Sequence, residues 1–192
     1  MDSSGTAVLV IDMQKAYFEA EALRSRQDEV VAACNRLVAA AAANDVPVLL
    51  VCTEHERDKS TWTLSMLDDD QGFIFSGSEQ AEFVDGLRYE GLPRMVKTRD
   101  SAFMGTDLLL RLRNFGAGRL VLAGVATHNC VAQTAADAFA NNFRVVYAAD
   151  AMASTNEEYA DAMRTILSDE YRQPVLGEAE VEKLLAASGE AQ

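Results

Sequence analysis

The stretch "RLVLAGVATHNCVAQTAADAFANN", residues 119–142, decides how this chain reads. Arg119 to Val125 is a nearly unbroken apolar run of strand length. Residues 129–141 then carry small and apolar side chains at helical spacing. Gly124 stands at the junction. A strand that turns sharply into a helix is the unit of a parallel sheet covered on both faces. Cys130 falls where the helix should begin. Unpaired N–H groups and the helix dipole favour negative charge there, and the thiolate is the reactive form of cysteine. A nucleophile and a small core hydrophobe are both open readings of that residue.

The same alternation runs outward in both directions. "TAVLVIDM" near the N-terminus, "VPVLLVCT" from residue 46, "RMVKT" from residue 94 and "FRVVYAAD" from residue 143 read as further strands. Pro47 is tolerated near a strand start. Residues 28–45 place Val30, Cys34, Leu37, Val38 and Ala41 on one helical face. "TDLLLRLRNFGAG" predicts a helix capped by Thr106 and stopped by Gly116, with Leu108, Leu112 and Phe115 facing inward. "NEEYADAMRTILSDEY" is helical, "QPVLG" an edge strand, and "EAEVEKLLAAS" a last helix. No repeat or linker interrupts residues 1–192. The expectation is one doubly wound, Rossmann-like α/β domain, with a mainly parallel sheet of about six strands and helices on both faces.

Such sheets bind ligands beyond the carboxyl ends of their strands. Asp12 ends the first strand, Lys97 ends the third, and Cys130 follows the fourth. A carboxylate, an ammonium and a thiol at one sheet edge make a nucleophilic site. The helix start and Lys97 both favour thiolate, so Cys130 is expected to titrate below an ordinary thiol. Asp12 can take the thiol proton and return it to a leaving amine. Singly, each residue has an ordinary alternative: a turn-forming Asp, a solvated Lys, a core Cys.

The motifs "VLVIDMQKAYF", "VKTRDSAF" and "LVLAGVATHNCVAQTAADA", in that order, resemble the isochorismatase-like family of cysteine hydrolases, which includes nicotinamidases and N-carbamoylsarcosine amidase. The resemblance spans about residues 6–176. It implies a catalytic triad of Asp12, Lys97 and Cys130, and a cis peptide between Val125 and Ala126. It also implies an oxyanion hole formed by the Ala126 and Cys130 N–H groups. The reaction it implies is hydrolysis of a small amide, ureido or related C–N bond through a Cys130 thioester. Vinyl ether hydrolysis, as in true isochorismatases, is the alternative. A binding protein that kept the fold without the chemistry is a third reading, and an intact Asp12, Lys97 and Cys130 argues against it.

One feature departs from the nicotinamidases, which carry Asp-x-His and a further His as metal ligands after strand two. Here Thr53 occupies the Asp position and His55 the His position, with no second His nearby. No metal and no cofactor are expected. Tyr17, Trp62, Arg99, Phe103 and His128 are candidate substrate contacts, each with a packing or ion-pairing alternative. His55 reads as a loop residue or a substrate contact.

The formal charge of −13 opposes binding to nucleic acid or to an anionic membrane. Three widely spaced cysteines form neither a disulfide framework nor a zinc site, and Cys34 and Cys52 lie in apolar patterns. The N-terminus lacks the order of a signal peptide, so a cytoplasmic location is expected. A small-molecule substrate is the expected partner. The family resemblance and the aromatic-bearing segment 61–75 lead to the expectation of a homo-oligomer, a dimer or larger.

Overall fold

A computed structural model describes residues 5–189. Six strands form one sheet: β1 (Gly5–Ile11), β2 (Val48–Thr53), β3 (Arg94–Lys97), β4 (Ala117–Gly124), β5 (Arg144–Met152) and β6 (Val175–Leu176). Their order is β3-β2-β1-β4-β5-β6, and every pairing is parallel. Seven α-helices lie between and after them: α1 (Glu21–Arg24), α2 (Gln27–Ala43), α3 (Leu64–Asp68), α4 (Leu108–Asn114), α5 (Ala132–Ala140), α6 (Glu157–Tyr171) and α7 (Glu178–Gly189). No described helix is long and apolar enough to cross a membrane.

Strand alternation divides the core into two layers. Val8, Val10, Val121 and Val146 face α2 and α7, where Val30, Cys34, Leu37, Val181 and Leu185 meet them. Leu9, Ile11, Leu120 and Leu122 face α4, α5 and α6, packing with Leu108, Leu112, Ala135 and Leu167. This is the two-sided cover that the apolar strands require. The chain order reverses between β1 and β4, so the crevice expected of such a sheet opens between those two strand ends.

Several boundaries differ from the sequence expectation for local reasons. α4 begins at Leu108, two residues after Thr106, but the Thr106 hydroxyl still accepts the Leu108 N–H. α6 is capped by Asn156, whose side chain accepts the Tyr159 N–H. After β4 the chain first makes a π-helical turn, Thr127–Val131, and only then α5. The 54–93 connection holds α3 and a 3₁₀ turn that no periodicity announced.

Gly124 permits the closest approach in the sheet. Its φ is +108°, and a Cβ there would stand 1.9 Å from the Ile11 carbonyl oxygen. The obstacle is backbone, which cannot swing aside. Gly124→Ala is therefore expected to cost about 3 kcal/mol or more in chemical denaturation, from overpacking and φ strain together. Gly77, at φ +75° with nothing within 4 Å, bears only the φ penalty, so Gly77→Ala should cost far less. Equal midpoints for the two variants would contradict this packing argument.

Candidate active site

Four chain segments deliver the site. Asp12 follows β1 directly in a left-handed conformation, φ +55°, with its N–H donated to the Val51 carbonyl. Thr53 ends β2, and Lys97 ends β3. Cys130 lies in the π-helical turn after β4, and the peptide between Val125 and Ala126 is cis. The Lys97 ammonium stands 2.8 Å from Asp12 Oδ2 and donates to Thr53 Oγ1 at 2.7 Å. It also donates to Cys130 Sγ at 3.5 Å. The Thr53 hydroxyl in turn donates a hydrogen bond to Asp12 Oδ1 at 2.9 Å. Asp12 and Lys97 are sealed from solvent, and Cys130 is 4% exposed.

The two Asp12 oxygens differ. Oδ1 accepts from Thr53, while Oδ2 touches the ammonium without the alignment of a hydrogen bond and has no other partner. A buried acceptor with a free lone pair is costly unless something supplies it a proton. The nearby Asp12 carboxylate is among the groups that keep the Cys130 thiol protonated, while the S–H itself is directed to Asp100 Oδ1 at 3.8 Å.

Behind the triad, Gln14 fixes the end of β2. Its Oε1 accepts the Thr53 N–H at 2.7 Å, and its Nε2 donates to the Thr53 and Ala81 carbonyls at 2.8 and 3.0 Å. Gln14 is fully buried. It holds the one hydroxyl that bridges Asp12 and Lys97. The sequence offered its signal, the Gln of the Asp-Met-Gln strand end, but not its role.

The electrostatics correct one expectation. Burial first, then the Asp12 carboxylate, push the Cys130 thiol well above the ordinary range, and Lys97 offsets only part of this. Burial and Asp12 thus favour the thiol over the thiolate beside the Asp12–Lys97 pair. Sequence pattern exposes the cation and the helix start, but neither the depth of the sulfur nor its nearness to Asp12. For Lys97, burial acts against the ammonium, yet Asp12 and Cys130 outweigh it and raise the pKa. Tyr17 is raised well above its usual value by burial and then by Asp12.

A cleft of about 480 Å³ lies beside this cluster, lined by Thr53, Tyr17, His55, Phe73, Arg99, Asp100 and Asn129 among others, while Asp12, Lys97 and Cys130 are not in its lining. Of the expected substrate contacts, Tyr17 and Arg99 therefore reach the cleft. The Arg99 guanidinium is also a clamp on the loop, donating to the Thr61, Trp62 and Thr98 carbonyls. Three other candidates sit elsewhere. Trp62 is buried, gives its indole N–H to the Glu56 carbonyl and packs on Phe75. Phe103 packs against Phe143 in the core. His128 turns to Ser154 Oγ and the edge of Tyr159. Asp100 was missed by sequence reasoning, because a loop carboxylate has no periodicity to mark it. Its Oδ1 lies 3.8 Å from Cys130 Sγ.

The residues do not suit a metal of the nicotinamidase kind. Thr53 is committed to Asp12 and Lys97, and His55 Nδ1 bonds the Thr61 carbonyl at 2.9 Å. Among the described residues no three His, Cys, Asp or Glu side chains gather at one point. Burial lowers the His55 pKa, which keeps its ring neutral. Cys34 and Cys52 are core residues, with thiols pushed up by burial to about 12 and about 11.

The model of the isochorismatase domain matches residues 6–175. A probable inactive nicotinamidase of Arabidopsis thaliana is 36% identical over 162 residues, covering 80% of this chain and 83% of that protein. The phenazine biosynthesis protein PhzD of Pseudomonas fluorescens is 32% identical over 161 residues, covering 83% and 76%. Among solved structures, an isochorismatase family protein from Desulfovibrio vulgaris superposes with a TM-score of 0.82 at 30% identity, covering 94% of this chain and 98% of that one.

Proposed function

The chain belongs to the isochorismatase family of hydrolases, and from that premise we propose that it is a metal-independent cysteine hydrolase of small amides, ureido compounds or related C–N bonds. The observation that carries this reading is the contact of Cys130 Sγ with Lys97, itself paired with Asp12, beside a cleft lined by their neighbours Thr53, Asp100 and Asn129. In the proposed reaction Asp12 Oδ2 takes the thiol proton as sulfur bonds to the substrate carbonyl carbon. The carbonyl oxygen becomes an oxyanion, received by the Ala126 and Cys130 N–H groups. The Ala126 N–H has no backbone acceptor among the described residues and is free for that task. The C–N bond then breaks, Asp12 gives its proton to the departing nitrogen, and a thioester remains on Cys130. Water, deprotonated by Asp12, adds to the thioester and releases the acid and the thiol. Lys97 stays an ammonium throughout and stabilises the negative charge that moves among these groups.

A screen of small primary amides and ureido compounds for released ammonia tests the reading. Turnover is expected for at least one member. Hydrolysis confined to vinyl ethers would support the second reading. There Asp12 acts alone as the acid and Cys130 is a bystander. The likeness to a probable inactive nicotinamidase raises the binding-protein reading, against which stands the complete ion pair and thiol.

Metal independence follows from the donor set. Dialysis against EDTA is expected to leave turnover unchanged within about twofold, since the Thr53 hydroxyl is committed to Asp12 and Lys97, no set of three ligating side chains gathers among the described residues, and three or four protein ligands are the rule for zinc. Stoichiometric metal lost together with activity would overturn this.

A further inference from the structure

Beyond the Asp12–Lys97 pair, a second carboxylate stands beside the sulfur. Lys97 Nζ is 3.5 Å from Cys130 Sγ, and Asp100 Oδ1 is 3.8 Å from it. The proposed chemistry above uses the first and leaves the second without a task. Asp100 is half-buried and lines the cleft. It is held in place from α5: Gln133 Nε2 donates to Asp100 Oδ2 at 3.2 Å and to Asn129 Oδ1 at 3.0 Å. One carboxylate oxygen is thus anchored to protein, and the other is turned to the reacting sulfur.

A scissile amide presents two opposite hydrogen-bonding groups, an oxygen that accepts and a nitrogen that donates. Asp100 Oδ1 beside the sulfur is the complement of the nitrogen, as the Ala126 N–H is of the oxygen in the reaction proposed above. We propose that Asp100 is a specificity-determining substrate contact that accepts an N–H of the substrate's reacting group, and so selects primary amides and ureido groups over esters and carboxylates. This rests on the assignment of Cys130 as nucleophile. A nitrogen bonded to a carbonyl carbon on Sγ, when it faces Asp100, comes within hydrogen-bond reach of Oδ1, about 2.9 Å. An ester would set its lone pairs against the carboxylate and leave Asp100 desolvated and unpartnered, the situation that gives polar sites their strongest discrimination.

The test uses Cys130 alkylation, read by peptide mass spectrometry on the full chain. Iodoacetamide carries amide N–H groups, and methyl iodoacetate carries none. In both, sulfur bonds to the CH₂ carbon and iodide leaves. The ratio of the two rates, divided by the same ratio for glutathione, cancels changes in thiol pKa and access. Wild type is expected to prefer iodoacetamide about tenfold beyond glutathione, the size of a hydrogen bond to a charged acceptor. Asp100→Ala should abolish the preference. Asp100→Asn should do the same or reverse it, because Gln133 would hold the new amide oxygen and turn its NH₂ toward the substrate. A ratio unchanged in both variants overturns the proposal, even if both rates shift together, as they would if Asp100 were only a base. A Cys130 that labels no faster than Cys34 with either reagent would overturn the nucleophile assignment itself, and that result is distinct from the first.

Discussion

Cys130→Ala is expected to remove hydrolysis of every amide substrate, by at least about 10⁴-fold, while the fold persists. No other described group in the cluster can take the sulfur's place. Asp12 and Lys97 are locked in an ion pair, and the Thr53 hydroxyl is held between them. Losing a covalent nucleophile removes the whole two-step path, not one favourable contact. The substitution deletes one small buried side chain from a site beside the cleft, so the loss of stability should be modest. Cys34→Ala is the matched control. Cys34 is fully buried and gives its S–H to the Ala151 carbonyl at 3.5 Å, remote from the triad. Its removal should lower stability slightly and leave the rate near wild type. Steady-state rates with circular dichroism on both variants check this. Amide turnover retained by Cys130→Ala would end the cysteine mechanism.

The second expectation concerns the ion pair. Asp12→Asn and Lys97→Met should both cripple turnover, yet move the Cys130 thiol pKa in opposite directions. Asp12 raises that pKa and Lys97 lowers it. Asp12→Asn therefore leaves Lys97 beside the sulfur and favours thiolate, so alkylation should begin at lower pH than in wild type. Lys97→Met leaves Asp12 beside the sulfur and pushes alkylation to higher pH. Wild type should itself begin above the ordinary thiol value of about 8.5, because burial and Asp12 prevail. Turnover should nevertheless fall by roughly 10²–10⁴-fold in Asp12→Asn, since the leaving nitrogen loses its acid. Each single variant strands a buried charge, at about 3–5 kcal/mol, so folding must be verified in each. If both variants shift the curve upward, Asp12 is not the group that holds the thiol neutral. If neither shifts it, the cluster is not electrostatically coupled.

These expectations separate what sequence alone conveys from what it conceals. The strands were legible because a sheet covered on both sides makes each strand an apolar run, as in "VLLVCT" and "RLVLAG". Asp12, Lys97 and Cys130 were legible because the ends of parallel strands share one edge, whatever their separation along the chain. Thr53 was legible only as a missing metal ligand. Its role as the hydrogen-bonded bridge between Asp12 and Lys97 requires distances. Asp100 and Gln133 come from a loop and a helix that meet only in three dimensions. Trp62 shows the converse. An aromatic in a long loop invites a ligand, but here it fills the loop's own interior, with Gly72 bare so that the indole fits against it. The charge of the thiol depends on burial depth, which no pattern of residue types reports.

The most direct measurement of the central claim is acid-quenched mass spectrometry of the enzyme during turnover of an amide substrate. The peptide containing Cys130 is expected to gain the mass of the substrate's acyl group, the adduct to disappear when substrate is exhausted, and the peptides containing Cys34 and Cys52 to stay unmodified. Steady turnover of that amide with Cys130 unmodified at every quench time, under conditions where release of the acid limits the rate, would contradict that claim.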